Sequence, residues 1–348
     1  MRVLEVVRPD EIVLGERPAP SAGTGEALLR PLAVGICGSD LDLVQGTRPA
    51  AYVSYPIVPG HEWVAEVVDL GAGVTHIAPG AYVAVEGHHY CRICAQCRRG
   101  ATNLCEHYDE FGCTRDGGLA ELVVARGDLL HPFRRDIPPE VAALTEPTAC
   151  ALHGVEMAIP QPGEIIVVIG PGTIGLLATA LFALSHPRRL IVVGRHATNR
   201  EIALSLGATD FIIGTPEEVS QAVAELTDGK GADIVYEAAG HVSAMHLALD
   251  LARRGGRVIY EGVAGETARL SVAADCFLLK ALHVHGIFAY TSAHFERALR
   301  LIEEGILKVA PLITHRLPLD RYADGIKLLE KRTERVVKIS IFPQEESL

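Results

Sequence analysis

The chain lacks any excess of basic residues. Its 32 lysines and arginines face 43 aspartates and glutamates, a net charge of −11. That balance leaves no electrostatic footprint for nucleic acid or for an anionic membrane surface. No apolar run is long enough to span a bilayer. Met1 to Arg17 has no apolar signal core and is interrupted by Arg2, Glu5, Arg8, Asp10 and Glu11, so a secretory leader is not expected. Internal repeats and low-complexity segments are also missing. Eight cysteines in 348 residues are too few for a disulfide scaffold, and in a large chain without a leader they point to metal. These absences argue against a membrane protein, a nucleic-acid binder and a disulfide-stapled secreted domain, and they make the cytoplasm the expected compartment. The length suits about two domains. A composition of 49% hydrophobic and 22% charged residues is ordinary for a soluble globular enzyme.

The chain is organised around Ile165 to Gly175, IIVVIGPGTIG. Ile165 to Ile169 reads as a strand buried on both faces, and Leu176 to Leu184 reads as an apolar helix. Between them stands Gly170-Pro171-Gly172-Thr173-Ile174-Gly175, a G-x-G-x-x-G turn. Gly170 permits the tight turn, Gly172 lets the backbone approach a pyrophosphate, and Gly175 allows close helix–strand packing. The amides at the helix start, Thr173 and Ile174 among them, then face the phosphates, where the helix dipole favours negative charge. The motif alone is a weak signal; the strand before it and the helix after it are the required context.

Ahead of this motif, Val3 to Val7, Glu11 to Leu14 and Glu26 to Val34 read as short strands separated by prolines and glycines, an irregular β domain. Gly35-Ile36-Cys37-Gly38-Ser39-Asp40 places a cysteine on an exposed glycine-flanked turn. Pro59-Gly60-His61-Glu62 offers two further ligands. The strongest local signal is Cys91, Cys94, Cys97 and Cys105, four thiols within fifteen residues. Tetrahedral zinc held by four cysteines is the natural reading, and a site with every position taken is structural. An iron–sulfur run would close with x3-Cys-Pro, whereas the last gap here is seven and Glu106 follows. Cys113 nearby reads as packed or on the surface. Gly118 to Val124 and Leu129 to Ile137 resume strand-like alternation. A helix begins near Leu144, and Glu146 and Cys150 lie one turn apart on it, so that both can face one site.

From about residue 156, strands and helices alternate. Strands are expected at Leu190 to Val193, Phe211 to Ile213, Asp233 to Tyr236, Arg257 to Glu261 and Val284 to Ala289. Helices are expected at Asn199 to Leu206, Glu217 to Thr227 and Val242 to Leu251. This is a βαβ series with a parallel sheet. Two more helices, Ala293 to Glu304 and Asp320 to Lys331, and a last strand, Val336 to Phe342, follow. The second strand bears on cofactor choice. An acidic residue there would bind the ribose 2′-hydroxyl of NAD, but Gly194 stands at that place, followed by Arg195 and, further on, Arg200. Nothing repels a 2′-phosphate and a guanidinium can pair with one. NADP is favoured over NAD.

With these residues in hand, the chain resembles the zinc-containing medium-chain dehydrogenase/reductases, the zinc-dependent alcohol dehydrogenases. Within them it is most similar to the sorbitol and threonine dehydrogenase branch. The resemblance runs over nearly the whole chain. It rests on the motifs around Cys37, His61 and Glu62, the four cysteines from Cys91, Glu146-Pro147, the glycine turn and Pro311-Leu-Ile-Thr-His-Arg316. It implies an α/β architecture: a GroES-like irregular β catalytic domain over 1–155 with a structural-zinc lobe at 91–105, a Rossmann doubly wound parallel sheet over 156–290, and a return of 291–348 to the first domain. It implies two zinc ions per chain. The catalytic one would sit on Cys37 and His61, with Glu62 or Glu146 as third ligand, or Cys150 as another branch uses a cysteine. Asp40 would orient His61, and Ser39 would accept the alcohol proton. A homodimer or homotetramer is implied as well.

Two departures stand out. Where polyol members carry a histidine five residues after the catalytic cysteine, this chain has Asp42. Where sorbitol-type members place an arginine between Phe and Tyr, it has Phe288-Ala289-Tyr290. Pocket walls are expected from Thr47 to Tyr55, from Phe111 and from Phe288 to Tyr290. The expected function is zinc-dependent hydride transfer between NAD(P) and a secondary alcohol or ketone: a polyol, sugar, cyclitol or aminocyclitol. The rivals are a lyase or epimerase using zinc and a tightly held cofactor, and a dinucleotide-binding sensor without redox turnover.

Overall fold

The computed structural model describes residues 1–332 and 334–344. The chain forms two compact units, one made of residues 1–146 with the chain from Thr291 onward, the other of Pro147–Tyr290. From the sequence this division is expected at 155/156. It falls instead within the first turn of the helix Thr145–Ala158. No described helix is long and apolar enough to cross a membrane.

The first unit is built on a seven-stranded sheet. Its longest strand, Glu26–Ile36, pairs antiparallel with Glu62–Leu70, with Lys338–Phe342 and with Val123–Arg126. Tyr82–Val85 and Leu130–Phe133 extend one side, and Ile313–Pro318 runs parallel to Lys338–Phe342 at the other edge. The last strand therefore lies against the first third of the chain. Val34, Trp63, Val83 and Ile341 are buried in one apolar cluster with Tyr322 and Ile326 of the helix Tyr322–Lys331. The strands Glu62–Leu70 and Ile313–Pro318 and the helix Asp275–Lys280 of the second unit were not legible in the sequence. The expected strands Gly118 to Val124 and Leu129 to Ile137 are shorter, at Val123–Arg126 and Leu130–Phe133.

The second unit is a six-stranded, wholly parallel sheet. Its order is Asp210–Ile213, Arg189–Gly194, Ile165–Ile169, Ala232–Glu237, Ala252–Tyr260, His283–Gly286. Numbered within the unit, that is 3-2-1-4-5-6, the dinucleotide-binding order, whose direction reverses beside Ile165–Ile169. All five residues of that strand are buried, as a central parallel strand covered on both faces requires. The sixth strand ends at Gly286 rather than at the expected Ala289.

Candidate metal and dinucleotide sites

Strand Glu26–Ile36 delivers Cys37, which caps the helix Gly38–Gln45. The Cys37 amide donates to Asp40 Oδ2 at 2.8 Å. The thiol is thus half-buried at a helix start, not on the open turn expected. His61 is buried just ahead of strand Glu62–Leu70. Pairing of the two strands sets Glu62 opposite Gly35, and that register assembles the site. A Cβ on residue 35 would overlap the Glu62 carboxylate, so glycine there lets the acid fold back over the neighbouring strand.

Cys37, His61 and Glu62 each offer a ligand atom, and these lie within 4.8 Å of one another. Thiol, imidazole and carboxylate are a donor set suited to zinc. His61 Nδ1 is buried and has no hydrogen-bond partner among the described residues, an arrangement proteins rarely leave uncompensated. The electrostatics agree. Burial pulls the His61 pKa down, but the Cys37 hydrogen bond and the charges of Asp40, Cys37 and Glu146 outweigh it and hold the ring well above its ordinary value. Burial pushes the Glu146 carboxyl up to about 8, with His61 opposing and Glu62 and Glu110 adding to the rise. So many acidic groups around one imidazole call for a cation, and a zinc ion fits.

The remaining expected residues fall unevenly around this centre. Ser39 Oγ is 3.5 Å from His61 Nε2. Asp40 acts on His61 by charge, but its carboxylate bonds the Cys37 amide instead of the ring. Asp42 accepts the Thr47 hydroxyl at 3.2 Å, closing a local turn. Glu146 is buried in the first turn of its helix. Neither Glu146 nor Cys150 joins the mutually close set, and Cys150 lies with the second unit. Phe111 is core rather than pocket wall: it is buried, edge-on to Trp63 with ring centroids 5.4 Å apart. Tyr290 is buried while Phe288 is exposed.

Three contributors had no sequence signal. Lys338, on the last strand, places Nζ 2.6 and 2.7 Å from the two Glu62 oxygens and 3.1 Å from the Ile36 carbonyl. Glu110 and Cys113 form a second set with His61 inside the same 4.8 Å limit. Cys113, expected to be packed or on the surface, is packed, buried beside the site.

Cys91, Cys94, Cys97 and Cys105 converge by the same criterion, and none of the eight cysteines is in a disulfide. The Cys91 amide donates to Cys105 Sγ at 3.2 Å, the Cys94 amide to Cys91 Sγ at 3.3 Å, and the Cys97 amide to Cys94 Sγ at 3.4 Å. Amides aimed at sulfur favour thiolates: bonds from Cys97 and Glu106 pull the Cys94 pKa down to about 6. Desolvation and its sulfur neighbours push Cys97 up to about 12. Four sulfur atoms brought this close, three of them accepting backbone amides, fit a metal ion that would bind them as thiolates.

In the second unit the glycine turn has the form a dinucleotide needs. Gly170 has φ +97°. A Cβ at 175 would overlap the Gly170 carbonyl oxygen, whereas one at 172 would meet nothing within 4 Å. The helix Thr173–Ala183 therefore starts behind an open backbone cradle, and its first amides suit a pyrophosphate. Asn199 Nδ2 donates to the Pro171 carbonyl at 2.8 Å and steadies the loop. Gly194 is buried at the end of its strand, and Arg195 and Arg200 are exposed.

Residues 23–135 match the family model described as alcohol dehydrogenase GroES-like domain, and residues 173–304 match zinc-binding dehydrogenase. A sorbitol dehydrogenase of Halalkalibacterium halodurans is 34% identical over 333 residues, covering 94% of each chain. An erythritol/L-threitol dehydrogenase of Mycolicibacterium smegmatis is 34% identical over 352 residues, covering 96% of this chain and 95% of its own. Among solved structures, a Sinorhizobium meliloti 1021 protein described as a zinc-binding dehydrogenase and bound to NADP has a TM-score of 0.92 at 30% identity, covering 98% of this chain and 99% of its own. Donor set, glycine cradle and relatives agree: the chain belongs to the zinc-binding alcohol dehydrogenase family of medium-chain dehydrogenase/reductases, oxidoreductases that use zinc and NAD(P).

Proposed function

We propose that the chain transfers hydride between NADP(H) and a secondary alcohol or ketone of the polyol, sugar or cyclitol type. The observation that carries this reading is the mutual approach of Cys37, His61 and Glu62 within 4.8 Å. Relatives that act on sorbitol and on erythritol or threitol support the substrate class. Zinc held by Cys37 and His61, with Glu62 or Glu146 completing the set, would supply Lewis-acid polarisation of the substrate hydroxyl. Ser39 Oγ, 3.5 Å from His61 Nε2, would take the alcohol proton. Lys338 neutralises Glu62 and fixes its carboxylate. A second zinc on Cys91, Cys94, Cys97 and Cys105 would have a purely structural role.

Cofactor choice rests on Arg195 and Arg200. Both are exposed, with no ion-pair partner among the described residues, and no carboxylate ends the strand Arg189–Gly194. A 2′-phosphate fits that surrounding. A homodimer or homotetramer would use the sheet edge at His283–Gly286, beside which Leu278 and Leu279 are exposed. The cytoplasm suits eight thiols outside any disulfide.

The test is NAD(P)H absorbance over a panel of polyols, cyclitols and ketones with both cofactors. Turnover should be lost in Cys37→Ala. A zinc-loaded protein that binds NADPH yet turns over nothing on the panel would overturn the reading. Arg195→Ala should weaken NADPH about 10- to 100-fold, the worth of a charged hydrogen bond, and NADH far less. Equal losses would remove the preference for NADP.

A further inference from the structure

Beside the Cys37 and His61 centre lies an ion pair to which nothing above assigns a role. Arg48 Nη2 donates to Glu110 Oε2 at 2.6 Å, and Arg48 Nε donates to the Tyr52 carbonyl at 2.9 Å. The Tyr108 hydroxyl donates to the same Glu110 oxygen at 3.3 Å. The two charged side chains are 14% and 13% exposed. A Glu110 oxygen lies within 4.8 Å of a His61 ring nitrogen and of Cys113 Sγ. Arg48 Nη1 has no partner among the described residues.

Desolvating a charged pair is costly, and a pair of hydrophobic residues would often be as stable or more so. Fold stability therefore does not explain why this one stands next to the reacting centre. Its chemistry offers an explanation. A lone arginine would attract a carboxylate or phosphate bidentately. With Glu110 neutralising it, Arg48 offers a donor beside an acceptor with no net charge. An anionic substituent would meet the Glu110 charge, whereas a hydroxyl can donate to Glu110 and accept from Arg48 together.

We propose that the Arg48–Glu110 pair is the specificity determinant of this site, reading an uncharged hydroxyl vicinal to the reacting carbinol and turning away anionic substrates. This rests on the dehydrogenase reading above. It also gives the chain a polar reader in place of the arginine missing from Phe288-Ala289-Tyr290.

Three probes share the CH3–CH(OH)– unit: isopropanol, propylene glycol and L-lactate. For each, kcat and KM of oxidation are measured on the zinc-loaded enzyme with NADP+ and with NAD+ as hydride acceptor. The wild type should prefer propylene glycol to the other two by about 10- to 100-fold in kcat/KM. In Arg48→Leu/Glu110→Gln, which leaves no single charge behind, the preference over isopropanol should collapse, mainly through KM. In Glu110→Gln, Arg48 loses its counter-charge and lactate should gain on propylene glycol. If the double variant melts early, Arg48→Lys, which keeps the charge but loses the fork, should show a partial collapse. Ratios unchanged in all three variants, with wild-type turnover intact, overturn the inference and leave the dehydrogenase reading standing. Wild-type protein inactive on all three and on the wider alcohol panel overturns the dehydrogenase reading itself.

Discussion

The contact between Lys338 and Glu62 shows how much of the site is settled by single side chains. The two are 276 positions apart, and their side chains are only 4% and 2% exposed. Burial opposes the lysine's charge, but Glu62 and then Cys37 raise its pKa above the ordinary lysine value. A pair this deep is weak evidence for net stability, yet breaking it from one side leaves an uncompensated buried charge. Lys338→Met should therefore destabilise the protein by about 3–5 kcal/mol. Lys338→Met/Glu62→Gln should recover most of that loss. Denaturant midpoints for the two singles and the double form the cycle that decides it. Additive losses would mean that the lysine does not act through Glu62. Nothing in the sequence around either residue announces this partnership, because no local pattern encodes a contact between two strands that flank a third. Cys37 and His61 were legible because each sits in a short glycine-containing motif whose residue types have few other uses side by side.

Among the elements, legibility followed how local the physics is. The strand–turn–helix from Ile165 to Ala183 was readable because an apolar run, three spaced glycines and a second apolar run adjoin one another. The helix even starts earlier than the apolar run suggested, at Thr173, because Gly172 caps it. Strand Glu62–Leu70 was unreadable for the opposite reason. Its first four residues are all buried, so it lacks the alternation that marks a half-exposed strand, and charged Glu62 heads it. Ile313–Pro318 is a half-exposed edge strand with even less pattern. The glycine turn yields a prediction at this scale. Gly175→Ala would force a methyl against the Gly170 carbonyl, and overpacking of that kind costs about 1–3 kcal/mol. Because the displaced atom belongs to the turn itself, NADPH affinity should fall while zinc content stays at the wild-type level. Fluorescence titration of NADPH alongside elemental analysis checks both. Unchanged affinity would mean the turn does not cradle the pyrophosphate.

For the molecule as a whole, the open question is what each metal ion contributes. The lobe from Cys91 to Cys105 contains only the short helix Ala95–Arg98 and a single 3-10 turn at Thr102–Leu104. Ile93 and Leu104 are exposed, and only Cys94 and Cys105 of the lobe join the main apolar cluster as buried members. So little apolar burial cannot order fifteen residues against their conformational entropy, and the free energy of metal binding would have to supply the difference. The centre at Cys37 and His61 differs, since the strands that carry it belong to a seven-stranded sheet with its own core. The two sites should therefore separate cleanly. Wild-type protein should hold two zinc ions per chain by elemental analysis. Cys97→Ser should hold one, melt several degrees lower and become sensitive to proteolysis within the lobe. Cys37→Ala should also hold one but melt near the wild-type temperature, with turnover gone. If Cys97→Ser kept both its zinc and its melting temperature, the lobe would be held by protein contacts alone and the four-cysteine cluster would have no structural metal to explain.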